Sequence, residues 1–128
     1  PERILLIRLS AIGDVINTLP ALSLLRRARP DAHLAFAVED RASDLVLGHP
    51  FLDTVHVFPR RAWRGLLRSG DPRRWLRLRS ELADYRRTLR DARYDVAIDF
   101  QGNLKGALHS PLSGAPRRIG FAEGTTAS

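Results

Sequence analysis

The chain opens on a nearly unbroken apolar run, "RILLIRL" at 3–9. Such a run suits a strand buried on both faces, as in a parallel sheet. The period then lengthens. Val15, Leu19, Leu22 and Leu25 follow one another at steps of 4, 3 and 3, which predicts a helix from about Asp14 to Ala28, with Pro20 marking a kink or a late start. "AHLAFAVE" (32–39) alternates and predicts a second strand, "RASDLVLGH" (41–49) a short helix closed by Gly48, and "DTVHVFP" (53–59) a third strand ended by Pro59. The stretch 60–72 reads as a basic loop or short helix. Asp71-Pro72 is a helix start, with Asp as cap and Pro in the first turn. Trp75, Leu78, Leu82, Tyr85 and Leu89 then form one apolar stripe on a long amphipathic helix, about 73–92. "YDVAIDF" (94–100) predicts a fourth strand, 101–114 a turn into a helix ending by Gly114, and "PRRIGF" (116–121) a fifth strand. Strands alternating with helices predict a three-layer α/β fold with a mainly parallel sheet in a single domain.

In such folds ligands sit outside the C-terminal ends of strands, near the point where the strand order reverses. Two strand ends carry chemistry: "LSAIGD" after the first strand and "DFQGN" after the fourth. Asp14 can be a helix cap or first-turn acid, or a general base on a ligand-facing turn. Ser10 can satisfy turn backbone or face a ligand. Gly13 can supply an unusual φ or permit close approach. Only one glycine stands between Leu9 and Thr18, so both the dinucleotide fingerprint and the phosphate-binding P-loop are absent here. That argues against NAD or ATP at this turn. Asp99, Gln101 and Asn103 can cap the following helix or present hydrogen-bonding groups to a hydroxyl-rich ligand. Lys105 can reach an anionic group from that helix's first turn, or remain a surface lysine.

Charge sharpens one segment. The net charge is +7, yet Arg60 to Arg90 alone holds eleven arginines against three acids. Arg60, Arg61, Arg64, Arg68, Arg73, Arg74, Arg77 and Arg79 can be a solvated face. With Trp63, Leu66 and Leu67 among them, they can also meet an anionic membrane surface or a phosphorylated glycolipid. Nucleic acid ranks lower, because no recognised binding motif accompanies the charge. The four histidines (His33, His49, His56, His109) lack metal-ligand spacing, and His56 reads as structural. The absence of cysteine excludes a disulfide framework and a Cys-based zinc site, and makes a cytosolic compartment the default. No apolar run approaches the ~18 residues of a membrane span. "PERILLIRLS" lacks the basic leader and cleavage site of a signal peptide.

"ILLIRLSAIGDVINTLPALSLLRRARPDAHLAFAVE" resembles the start of the lipopolysaccharide heptosyltransferases, glycosyltransferase family 9, and "YDVAIDFQGNLKGALHSPLSGAPRRIGF" resembles a later stretch of the same N-terminal domain. The first motif, S-x-x-G-D-V followed by T-x-P-A-L, runs from Ser10 through Thr18 to Leu22. The second is D-x-Q-G followed by a basic residue, Asp99 to Lys105. The resemblance covers most of 3–121, with 60–75 the least similar part. It implies one Rossmann-like half of a GT-B glycosyltransferase. The N-terminal domain of that family holds a lipid-linked acceptor, Kdo-lipid A or the heptosylated core. The donor, ADP-heptose, binds a C-terminal domain, which is expected to lie beyond Ser128. Transfer inverts the anomeric centre without an essential metal or other cofactor. Asp14 matches the family's catalytic acid. Ser10, Gly13, Thr18, Arg60, Arg61, Gln101 and Lys105 become the expected acceptor-side residues, and the anionic inner-membrane surface an expected partner at a cytoplasmic location. These 128 residues are expected to be one half of an enzyme. The alternatives are a non-catalytic sugar-lipid binding module and, less favoured, a basic nucleic-acid-binding domain.

Overall fold

The computed structural model describes residues 1–9, 12–58, 60, 64–65, 68, 70–101 and 111–120. Five strands form one sheet: β1 (Arg3–Ile7), β2 (His33–Glu39), β3 (Thr54–Phe58), β4 (Val96–Asp99) and β5 (Arg117–Gly120). Their order is β3-β2-β1-β4-β5, and every pairing is parallel. The sheet therefore builds outward from β1 in one direction and then in the other. The C-terminal ends of β1 and β4 flank the point of reversal, where an open parallel sheet leaves a crevice.

The apolar run of β1 is explained by burial on both sides. Ile4 and Leu6 join Leu34, Phe36, Val38 and Val96 beneath the helix α1 (Ile12–Ala28), which contributes Val15 and Leu22. Leu5 and Ile7 face the opposite way, with Ala35, Ala37 and Ala97, toward the helix α2 (Pro72–Asp91). On β2 the alternation is large toward α1 and small toward α2. The alanines let Leu89 and the half-buried Tyr85 settle close to the sheet. Core positions such as Phe36, fully buried, anchor this arrangement.

The structure adds detail to four expectations. First, α1 begins at Ile12 and continues through Pro20 to Ala28, so Asp14 lies inside its first turn and is not its cap. Pro20 is on the exposed face, where the Ile16 carbonyl that loses its helical partner can accept from water. Second, the segment after β2 is a 3-10 helix, Asp40–Leu45, and its exit turn places Gly48 at φ +76°. That left-handed conformation suits glycine. Third, the stripe on α2 is only partly buried. Leu78 and Leu89 are covered, whereas Trp75 and Leu82 are exposed. Fourth, β5 is a wholly exposed edge strand whose Arg117 and Arg118 discourage further pairing. The start of α2 is as expected: the Asp71 side chain accepts the Arg73 N–H at 3.0 Å, with Pro72 next. The helix expected within 101–114 falls largely outside the described residues. Among those described, no helix is long and apolar enough to cross a membrane.

Candidate active site

Arg8 and Leu9 follow β1 directly, and the residues at the sheet's reversal point are tied to them. The Leu9 N–H donates to Gln101 Oε1 at 3.0 Å, and the Leu9 carbonyl accepts from the Glu39 N–H at 3.2 Å. Gln101 is itself fixed, because its backbone N–H donates to Asp99 Oδ1 at 2.8 Å. The exit of β1 is thus stitched to those of β2 and β4. Gln101→Leu would leave the buried Leu9 N–H without its acceptor. It is expected to destabilise the fold by about 1–3 kcal/mol, readable by denaturant titration of the full-length protein.

Asp14 stands at the open end of this stitching. Its carboxylate forms an ion pair with the Arg8 guanidinium, Nη2 to Oδ1, at 3.1 Å. Arg8 Nη1 also donates to the Phe100 carbonyl after β4. The guanidinium therefore spans the gap between β1 and β4 and meets α1 in the middle. Arg8 is 14% exposed and Asp14 41%. The cation is nearly enclosed, while the carboxylate it holds faces outward. Arg8 Nε is buried without a hydrogen-bond partner among the described residues. A donor in that state costs about 1–3 kcal/mol, which the fold carries at this position.

The other expected site residues divide. Gly13 lies beside Asp14 in the first turn of α1 with no positive φ, and a Cβ built there meets nothing within 4 Å. The expectation of an unusual φ is corrected, while room for a close approach remains. What its missing side chain leaves is open surface. Thr18 is buried one turn further along and donates its hydroxyl to the Asp14 carbonyl at 2.9 Å, bracing the turn from within. Arg60 reaches back to Glu39, Nη1 to Oε2, at 3.3 Å, and Arg41 lies 3.6 Å from the same oxygen. Glu39 is 1% exposed, and a carboxylate so deeply buried requires cationic company. Ser10, Arg61 and Lys105 lie outside the described residues.

Arg8 and Glu39 were not singled out by sequence reasoning. Each had a signal: Arg8 interrupts an apolar run assigned to a doubly buried strand, and Glu39 ends an otherwise apolar one. A charge where the pattern demands burial points to a partner across the fold. No group of three His, Cys, Asp or Glu among the described residues could hold a metal ion. His56, expected to be structural, is buried under α2 with its Nε2 against the Tyr94 hydroxyl. The shallow depressions elsewhere, such as that lined by Glu2, Arg29 and Asp31, lie at the N-terminal end of the sheet, away from Asp14.

The chain has counterparts among known proteins. Over 106 residues the chain is 37% identical to lipopolysaccharide heptosyltransferase 1 of Pseudomonas aeruginosa, a match covering 82% of this chain and 28% of that protein. The chain belongs to the lipopolysaccharide heptosyltransferase family. Escherichia coli heptosyltransferase WaaC with ADP is similar to it in structure at a TM-score of 0.75 and 27% identity, covering 98% of this chain and 39% of that one. A glycosyltransferase family 9 structure from Veillonella parvula matches at a TM-score of 0.76 and 22% identity, over 94% of this chain and 32% of that one. That second likeness concerns the fold. No protein-family model matches the chain. The chain spans less than a third of the length of the curated heptosyltransferases it matches.

Proposed function

We propose that residues 1–128 are the acceptor-binding, N-terminal half of an inverting glycosyltransferase that moves heptose from ADP-heptose to the lipopolysaccharide inner core, with Asp14 as general base. The observation that carries the reading is the Asp14 carboxylate, held on one oxygen by Arg8 and open to solvent at the reversal point of the sheet. A sugar hydroxyl of the acceptor, Kdo-lipid A or the heptosylated core, hydrogen-bonds to Asp14. As the hydroxyl oxygen bonds to the donor's anomeric carbon, the bond from that carbon to the ADP phosphate oxygen breaks. ADP leaves with the electron pair, and the proton passes to Asp14. The attack comes from the face opposite ADP, so the anomeric configuration inverts. Donor binding falls to a C-terminal domain, and no metal or other cofactor is assigned to this half.

The remaining residues take supporting roles. Ser10 and the open surface at Gly13 border the acceptor hydroxyl, and Thr18 and Gln101 hold the backbone that presents it. Arg60, Arg61 and Lys105 meet acceptor phosphates. Glu39 fixes the direction of Arg60. Beyond them, Trp75 and Leu76 are 50% and 68% exposed among Arg73, Arg74, Arg77 and Arg79. Aromatic and aliphatic side chains set among cations suit the headgroup layer of an anionic bilayer, which supports a cytoplasmic, peripheral position on the inner membrane.

The direct test supplies the full-length protein with ADP-heptose and a Kdo-lipid A acceptor, and reads the mass of the lipid product. A gain of one heptose is expected. Acceptor binding without transfer would instead favour a binding module. Tight, salt-sensitive binding of DNA or RNA in place of the lipid would contradict the reading. A second expectation separates stability from function. Gly13→Ala gives a helical position a better helix former, so the melting temperature should hold or rise. The added methyl occupies surface assigned to the acceptor, so the acceptor KM should rise severalfold. An unchanged KM would remove Gly13 from the site.

A further inference from the structure

Arg8 is a nearly enclosed cation at the reversal point, and the proposed chemistry gives it no contact with the reacting atoms. We infer that Arg8 is a positioning residue that aims the Asp14 carboxylate, an inference that rests on the reading of Asp14 as the base. The geometry has three components. The guanidinium is 14% exposed and its two terminal nitrogens are used in different directions, Nη1 on the Phe100 carbonyl and Nη2 on Asp14 Oδ1. Its Nε has no partner among the described residues although it is buried. The backbone beneath it is fixed, since the Arg8 N–H donates to the Ala37 carbonyl at 3.1 Å.

An arginine serving stability alone would satisfy all its donors or extend them to water. Here Nε goes without a partner among the described residues while both terminal nitrogens are engaged between β4 and α1. Asp14 sits on the first turn of a helix, where the Thr18 hydroxyl donates to the Asp14 carbonyl and so constrains the backbone and not the carboxylate. Without Arg8 the carboxylate is free to rotate about its side-chain bonds. With it, Oδ1 is pinned to a group anchored on the strand ends, and Oδ2 takes one direction. Positioning of this kind acts on turnover, because a base must meet its proton at about 2.6–3.2 Å as the bond forms.

The test compares Arg8→Met, Arg8→Lys, Asp14→Asn and the double variant Arg8→Met/Asp14→Asn in the full-length protein, each measured for kcat and acceptor KM. Arg8→Met is expected to lower kcat at least tenfold with acceptor KM within twofold. Arg8→Lys, which keeps a cation able to reach Asp14, should recover part of that loss. It also serves as the readout where Arg8→Met fails to fold, with kcat below that of the unaltered protein and KM unchanged. In the Asp14→Asn background, removing Arg8 should cost nothing more, because groups acting as a unit are not additive. An Arg8→Met kcat equal to that of the unaltered protein would overturn the inference, as would a rise in KM alone or full additivity in the double variant. If Asp14→Asn itself keeps full turnover, the base assignment fails instead, and the two failures are told apart.

Discussion

Asp14→Asn in the full-length protein is expected to lower heptose transfer by about 10²–10⁴-fold while acceptor affinity stays within a few-fold, the range typical of losing a positioned general base. Asparagine nearly matches aspartate in shape. Its carbonyl oxygen can still accept from Arg8, so the contact that spans β1 and β4 survives in neutral form. The side chain is 41% exposed and belongs to neither core cluster, so little folding stability is at stake. What the amide cannot do is take a proton from an attacking hydroxyl. Turnover and binding should therefore separate, with single-turnover rates collapsing and acceptor titrations barely moving. Turnover within threefold of the unaltered protein would remove Asp14 from the chemistry.

The second large effect concerns stability against pH. Burial beneath α2 pushes the His56 imidazole down from 6.5 to about 4, with the positive charge of nearby His33 acting in the same direction. His33 is itself shifted down, by burial and then by Arg3. The Tyr94 hydroxyl that meets His56 is pushed up to about 12 by burial, so it stays protonated throughout this range. The sign follows. Between pH 6.5 and 4 the unfolded chain binds a proton at His56 that the folded protein refuses, so stability falls as pH falls through that window. Above 6.5 the contribution is fully present. The loss is on the order of 2–3 kcal/mol by pH 4, a large share of an ordinary domain's margin. His56→Gln keeps a hydrogen-bonding partner for Tyr94 without a titrating group. Its unfolding free energy should be nearly flat over the window, apart from the smaller part due to His33. A His56→Gln protein with the same slope as the unaltered one would show that another group governs the acid limb.

Much of the fold was legible because the sheet is parallel and buried. The run at 3–9 could be read as a doubly covered strand from its continuity alone, and β2 from its alternation. Asp71-Pro72 marked the start of α2 through local cap chemistry, which depends little on the rest of the fold. The stripe on α2 was legible as one face, but its depth of burial was not. Periodicity shows which positions share a face, but not how far the sheet extends beneath that face. Trp75 and Leu82 share the stripe with Leu89 and yet are exposed, whereas Leu89 is fully buried.

The site was legible to a similar degree. Asp14 was singled out because an acid took the place of glycines at a strand-end turn. Gly13 was read for backbone freedom, and the structure gives it ordinary helical geometry with open space beside it. Arg8 and Glu39 were passed over because each also has a partner far off in sequence. Arg8 bonds to a carbonyl 92 positions away, and Arg60 reaches Glu39 across 21. Such pairs follow from strand order, which no local window contains.

The most direct measurement is a structure of the full-length protein with an acceptor analogue bound. The account predicts an acceptor hydroxyl within hydrogen-bond reach of the Asp14 carboxylate, about 2.6–3.2 Å, with the donor nucleotide held from the opposite side of the cleft. An acceptor seated elsewhere, or a nucleotide diphosphate occupying the turn at Gly13 and Asp14, would contradict it.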